Sequence, residues 1–236
     1  MKLLPQFSTG NRKLQKTAKV LSLREKRKVR VFSFGLPAGY DKTSGIKTCP
    51  GAGSCLAVCY ARQGQFVIGA PARVRQENLM AIESAIEFGG APECASILDL
   101  AVQSSGIRSG DVVRWHDSGD FYRWEYAAAW TEVARTNPDI RWYTYTKSHS
   151  LVADSGLVRL PNVRMTHSEG GKADELIPEE AARSRIFSDF IPPGWVNGNS
   201  DDGDLPAIDG EKRIGLLYHG VRYMSDVEKA KFSGKH

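Results

Sequence analysis

Acidic side chains are almost missing from the first 30 residues, where Glu25 stands alone against ten lysines and arginines. That segment carries +9 in a chain whose formal net charge is +5, so the remainder is net acidic. The basic character therefore belongs to an N-terminal arm, residues 1–28, and not to the body. Such a run reads either as a solvated leader or as a weak contact for nucleic-acid phosphates. Long apolar runs are missing too. None approaches the roughly 18 residues a membrane span requires, so no membrane partner is expected. The opening, MKLLPQFSTGNRK, has too short an apolar run before Pro5 to read as a secretory signal. No Walker loop, G-x-S-x-G or H-E-x-x-H is present, which removes the usual signatures of P-loop, α/β-hydrolase and zincin chemistry. Cysteine is scarce, at four in 236 residues. In the reducing cytoplasmic compartment these features suggest, clustered cysteine means metal or catalysis more often than disulfides.

Three of the four cysteines fall within CPGAGSCLAVCY, residues 49–60, at the spacing C-x5-C-x3-C. Cys49, Cys55 and Cys59 on one glycine-bearing loop can converge on a metal or cluster, because Gly51 and Gly53 let the backbone fold tightly. Thiolates suit zinc or iron–sulfur centres. Zinc needs four ligands, and Cys94 or His116 could complete that set. A [4Fe–4S] cube needs one ligand per iron, which leaves its fourth position open to Cys94, His116 or an external molecule. Cys94 has a plainer reading as a small buried apolar residue on the helix face of Ile97, Leu98 and Ala101.

Around this loop the sequence alternates between strand and helix patterns. Val29–Phe34, Val112–His116, Ile140–Thr146, Asn162–His167, Arg185–Phe190 and Ile214–Val221 read as strands. Helical spacing marks 73–88, ended by Gly89-Gly90, a second helix from Pro92 to Ser105, and a third from Tyr122 to Arg135. A further helix is expected near Pro178, and 192–212 reads as a long surface loop. The pattern predicts one α/β domain, residues 29–236, built as an incomplete (β/α) barrel of about six mostly parallel strands. An open doubly wound sheet is the second choice.

Parallel sheets collect chemistry at the carboxyl ends of their strands. The cysteine loop follows the first strand, and His116, Ser118, Gly119 and Asp120 follow the second. Lys147 ends the third and His167 the fourth. Asp120 reads as an acceptor for a cationic amine or as the N-cap of the helix at Tyr122. His116 and His167 read as ligand-binding or as structural histidines, and Lys147 as an anion partner or a surface lysine.

FSFGLPAGY, CPGAGSCLAVCYARQG, WHDSGDFY and YTYTKS, in that order, resemble the bacteriophage gene product 88 domain family from about Val29 to Phe190. This resemblance implies a viral protein acting in the host cytoplasm. Some relatives carry further cysteines near the C-terminus, whereas this chain has none after Cys94. The layout is also similar to radical S-adenosylmethionine (SAM) enzymes, in which a three-cysteine loop after the first barrel strand holds a [4Fe–4S] cluster. There the open iron binds SAM, and a Gly-Gly-Glu type motif after the second strand meets its amino group. Ser118-Gly119-Asp120 occupies that place here, while the cysteine spacing differs from the usual C-x3-C-x2-C. The likeness implies a [4Fe–4S] cofactor, SAM as a candidate ligand, and possible enzymatic use. Two other readings stand beside it. One is a non-enzymatic cluster protein with a closed fourth ligand and a redox partner. The other is a nucleic-acid-binding protein with a structural metal.

Overall fold

Runs rich in valine, phenylalanine, tryptophan and tyrosine form the strands, as their bulky side chains favour a pleated and buried surface. A computed structural model describes residues 4–57, 59–199 and 203–218. The chain begins with α1 (Arg12–Glu25), then β1 (Val31–Phe34) and the cysteine loop. Next come α2 (Gly69–Ser104), β2 (Val112–Trp115), α3 (Trp124–Thr136), β3 (Arg141–Thr146) and α4 (His149–Asp154). The remainder is β4 (Val163–Ser168), β5 (Arg183–Phe187), β6 (Val196–Asn197), α5 (Leu205–Asp209) and β7 (Arg213–Leu217).

The seven strands form one sheet in the order β1-β2-β3-β4-β5-β7-β6. Every pairing between them is parallel. Five consecutive strands lie side by side in sequence order, which is the winding of a barrel. A doubly wound sheet would reverse direction at a switch point. The sheet stays open, with β1 and β6 at its edges. The fold is thus an incomplete barrel-like α/β sheet of seven strands, one more than the sequence predicts. The additional strand, β6, is two residues long and lies with α5 in the segment read as loop. The last predicted strand is β7, and residues 219–221 of that prediction lie outside the described residues, as do His219 and His236.

Alternation along the strands divides two cores. Phe34, Val113, Trp115 and Trp142 face α2 and α3 in the larger one. Trp115 and Trp142 stack there with centroids 5.0 Å apart. Val31, Val112 and Tyr143 face the opposite side, where Leu14 and Leu21 of α1 and Ala207 of α5 cover them. Gly89 and Gly90 break α2 where the sequence places a stop, and helical geometry resumes directly after them, with Pro92 in the first turn. The helix expected near Pro178 does not form. Ala181 instead closes a turn onto the Pro178 carbonyl at 3.0 Å, and β5 starts two residues later, leaving no room for a helix.

The basic arm is the larger departure from expectation. Residues 12–25 are a packed helix, capped by the Asn11 side chain, which accepts the Lys13 N–H at 2.9 Å. Two of its cations, and Arg30 just beyond it, are used within the fold. Lys13 meets Asp204 at 2.7 Å, Arg24 meets Asp209 at 2.7 Å, and Arg30 meets Asp111 at 2.5 Å. Charge counting could not show this, because the carboxylate partners lie far away in sequence. Among the described residues no helix is long and apolar enough to cross a membrane.

Leu21→Ala should therefore destabilise the chain by about 2–5 kcal/mol, as for other truncations of a buried leucine. Urea unfolding measures it. A change near zero would mean that the segment is a free arm after all.

Candidate functional site

The carboxyl ends of β1 to β4 meet at one mouth, and the cysteine loop lies across it. Gly51 packs so closely on the carbonyl of Lys147, at the end of β3, that any side chain would overlap that oxygen. At Gly53 a Cβ would come within 2.7 Å of the Gly170 carbonyl, just past β4. The Gly51 carbonyl accepts the Lys172 N–H at 3.0 Å, and Ala52 bridges Gly171. The loop glycines thus serve close approach of one backbone to another.

Cys49, Cys55 and Cys59 are partly buried and unbridged. They share one electrostatic neighbourhood: Cys49 feels Cys59 and Cys55, and Cys59 feels Cys55. Burial, then the charge of Asp120, pushes the Cys49 thiol up to about 12. The Gly39 N–H donates to Cys49 Sγ at 3.3 Å, and the amides of Ala61 and Arg62 bond to Cys59. Lys147 lies within electrostatic reach of Cys55. Burial raises the Cys49 and Cys59 thiols, while the amides of Gly39, Ala61 and Arg62 act the other way and favour the thiolates, and in this respect the residues fit an inorganic cluster. Among the described residues, no three or more His, Cys, Asp or Glu side chains are gathered to hold a metal ion.

Cys94 belongs elsewhere. It is fully buried in the larger core, and its charged neighbours are Glu83 and Arg123. The plainer reading of Cys94, as a packed core residue, is the one this placement matches.

The turn after β2 carries the densest polar chemistry. Asp120 is buried and accepts three donors: Thr146 Oγ1 at 2.6 Å, the Lys147 N–H at 2.8 Å and the Phe121 N–H at 2.8 Å. It does not cap the next helix, which starts at Trp124 with no side-chain cap. Its role is to clamp the β2 turn onto the end of β3. Gly119 has φ 80° and sits against Leu36, so it meets both demands on a glycine. Ser118 is buried, and its hydroxyl has no partner among the described residues.

His116 takes the left-handed conformation at φ 61°, which is uncommon for a residue with a side chain. Its Nε2 lies 2.9 Å from the Tyr126 hydroxyl, and its Nδ1 is buried without a partner among the described residues. Burial, helped by Arg114, lowers its pKa to about 3, so the ring is neutral. Asp117, beside it, meets Arg75 at 3.1 Å through Oδ2, while Oδ1 is buried without a partner among the described residues. Arg75 and Gly35 place Asp117: the arginine lies over the Phe66 ring at 4.4 Å, and a side chain at Gly35 would overlap the carboxylate. Tyr60, immediately after Cys59, donates to the Asp117 carbonyl at 2.8 Å and so ties the cysteine loop to this turn.

Lys147 donates its ammonium to the Glu169 carbonyl at 2.8 Å, and burial lowers its pKa. His167 turns towards His149, with their Nδ1 atoms 2.9 Å apart. Both line an open groove of about 480 Å³ beside β4, so His167 serves that groove and its histidine pair. Sequence reading singled out Asp120, whose oxygens are taken, and passed over Arg75, Asp117 as a ligand group, and Tyr60. No spacing signal marks Arg75, because only the fold brings it to Asp117 across 42 positions.

The family model described as Gene product 88 matches residues 4–227. Two curated relatives are both called Gene 88 protein. That of Mycobacterium phage L5 is 29% identical over 138 residues, which covers 58% of this chain and 56% of the relative. That of Mycobacterium phage D29 is 26% identical over 138 residues, covering 58% of this chain and 55% of the relative. The chain thus spans a little over half the length of these relatives. No solved structure matches it.

Buried neutral His116 makes stability depend on pH. Its pKa falls from 6.5 to about 3 on folding, so its contribution is complete above pH 6.5 and is lost as pH drops towards 3. One such group gives a slope of roughly 1.4 kcal/mol per pH unit within that window. His116→Asn, which tolerates the left-handed backbone, should flatten the urea-unfolding profile by that slope. An unchanged profile would show that His116 is not held neutral. His167, lowered to about 4, keeps its own slope of the same sign in both proteins.

Proposed function

We propose that this chain, which belongs to the gene product 88 family, is an iron–sulfur protein in which Cys49, Cys55 and Cys59 hold a [4Fe–4S] cluster beside a ligand pocket. The observation that carries the reading is the pinning of all three cysteines, by Gly51, Gly53 and Tyr60, over the ends of consecutive parallel strands. A single zinc ion needs four ligands gathered about 2.3 Å from one centre. A cube takes one cysteine per iron and so accepts a more widely spread set. The three thiols share one electrostatic neighbourhood, which is the support for a common inorganic centre. When bound, the cluster supplies one-electron transfer.

The chain's own residues define the rest of the site. Arg75 and Gly35 hold Asp117 with one carboxylate oxygen free, and Ser118 and His116 add two more unpartnered polar atoms on the same turn. A buried polar group without a partner costs about 1–3 kcal/mol, so a turn with three of them is suited to a ligand that supplies the partners. SAM is the candidate ligand of this turn. Asp117 rather than Asp120 has the free oxygen for its amino group, because Asp120 is already committed to three donors.

The non-enzymatic reading has one observation of its own. The free Nδ1 of His116 could close the fourth position and make the protein an electron carrier with a redox partner. Equilibrium dialysis with SAM separates the two, since only an open position leaves room for it. Host cytoplasm suits either reading. Nucleic-acid contact through residues 1–28 has less support, because Lys13, Arg24 and Arg27 of that segment are already engaged in ion pairs.

Anaerobic reconstitution with ferrous iron and sulfide should load roughly four irons per chain, with a broad visible absorbance. Serine at Cys49, Cys55 or Cys59 should abolish loading, and Gly51→Ala should reduce it by displacing the loop. Cys94→Ser should leave iron content unchanged. Stoichiometric zinc with refusal of iron and sulfide would overturn the proposal.

A further inference from the structure

On the sheet face that carries α1, a buried charge is incompletely matched. Asp204 is fully buried and lies 2.8 Å from Arg114 Nη1, 2.8 Å from the Tyr143 hydroxyl and 2.7 Å from Lys13 Nζ. Among the described residues two cations share this one carboxylate, which leaves that group with one net positive charge. Among the described residues, Arg114 Nε is buried and has no partner. The Tyr145 hydroxyl is buried and has none either. These two side chains are neighbours: the Arg114 guanidinium lies 5.4 Å from the Tyr145 ring centre. The strand register explains it, since Arg114 on β2 pairs with Tyr143 on β3, two residues before Tyr145. The Tyr60 phenol is also within electrostatic reach of Arg114. That phenol follows Cys59 directly, so the group adjoins the cysteine loop.

A buried guanidinium N–H and a buried hydroxyl beside excess positive charge lack one thing, an acceptor that is itself negative. Charge-assisted hydrogen bonds to oxyanions are the strong ones, and arginine is the residue best shaped to make them. We infer that Arg114 and Tyr145 form a subsite for an oxyanion, a carboxylate or phosphate group of a small-molecule ligand, with Lys13 supplying the balancing charge. The assignment of this ligand to the pocket by the cysteines rests on the proposed function. The oxyanion subsite itself needs no cluster.

Isothermal titration of the full chain with inorganic phosphate, and in parallel with malonate, at constant ionic strength tests it. Iron content is measured on the same samples. Saturable binding of at least one probe is expected, and the stronger of the two identifies the oxyanion. Tyr145→Phe, which keeps the ring, should weaken binding about tenfold, the loss of one hydrogen bond to a charged group. Arg114→Lys should weaken it at least as much, and the exposed Arg73→Gln should match wild type. Absence of saturable binding, or equal binding by Tyr145→Phe and wild type, would overturn the subsite. A chain that binds phosphate but no iron keeps the subsite and loses the cluster. A chain that takes iron but no oxyanion loses only the subsite.

Discussion

Gly51 has no side chain, and the position of the cysteine loop depends on that. The loop backbone lies directly on the Lys147 carbonyl at the end of β3. Lys147 is fixed in turn, because its N–H donates to Asp120 from the turn after β2. Thr146 donates to the other oxygen of the same carboxylate. One buried acid therefore joins two strand ends, and one glycine seats the thiols on the result. Burial raises the pKa of Asp120, while Thr146 and the amides of Lys147 and Phe121 oppose that by bonding to the carboxylate.

Much of the scaffold was legible in the sequence. Gly89-Gly90 and Pro92 are local signals, since a backbone break and a helix start need no partners, and both lie where the pattern puts them. The strands were visible because bulky, buried side chains alternate along them, and their sequential order follows from the regular strand–crossover–strand pattern. What failed depended on distant partners. The basic segment read as an arm because Asp204, Asp209 and Asp111, which meet Lys13, Arg24 and Arg30, are scattered through later sequence. Asp120 read as a helix cap because capping is a local habit, whereas its strongest donor, Thr146, is 26 positions away.

The candidate site divides in the same way. Three cysteines in eleven residues announce themselves. The polar atoms that make the site specific do not, because an unpartnered Asp117 oxygen, Ser118 hydroxyl or Arg114 Nε exists only once the fold has buried it. Asp204 shows how closely fold and site are linked. Burial alone would raise its pKa, but Arg114 and Lys13 overcome that and lower it. The same carboxylate anchors α1, orients Arg114 and, among the described residues, leaves one positive charge over. A sheet face that needed only to be stable could use apolar residues there, as a buried ion pair contributes little net stability.

The most direct test of the account is anomalous diffraction at the iron edge from crystals grown and frozen without oxygen. The account predicts a compact group of iron peaks with Cys49, Cys55 and Cys59 each bonded to a different iron, and Cys94 apart from them. A lone zinc peak, or three sulfurs pointing away from one another with no metal between them, would contradict it.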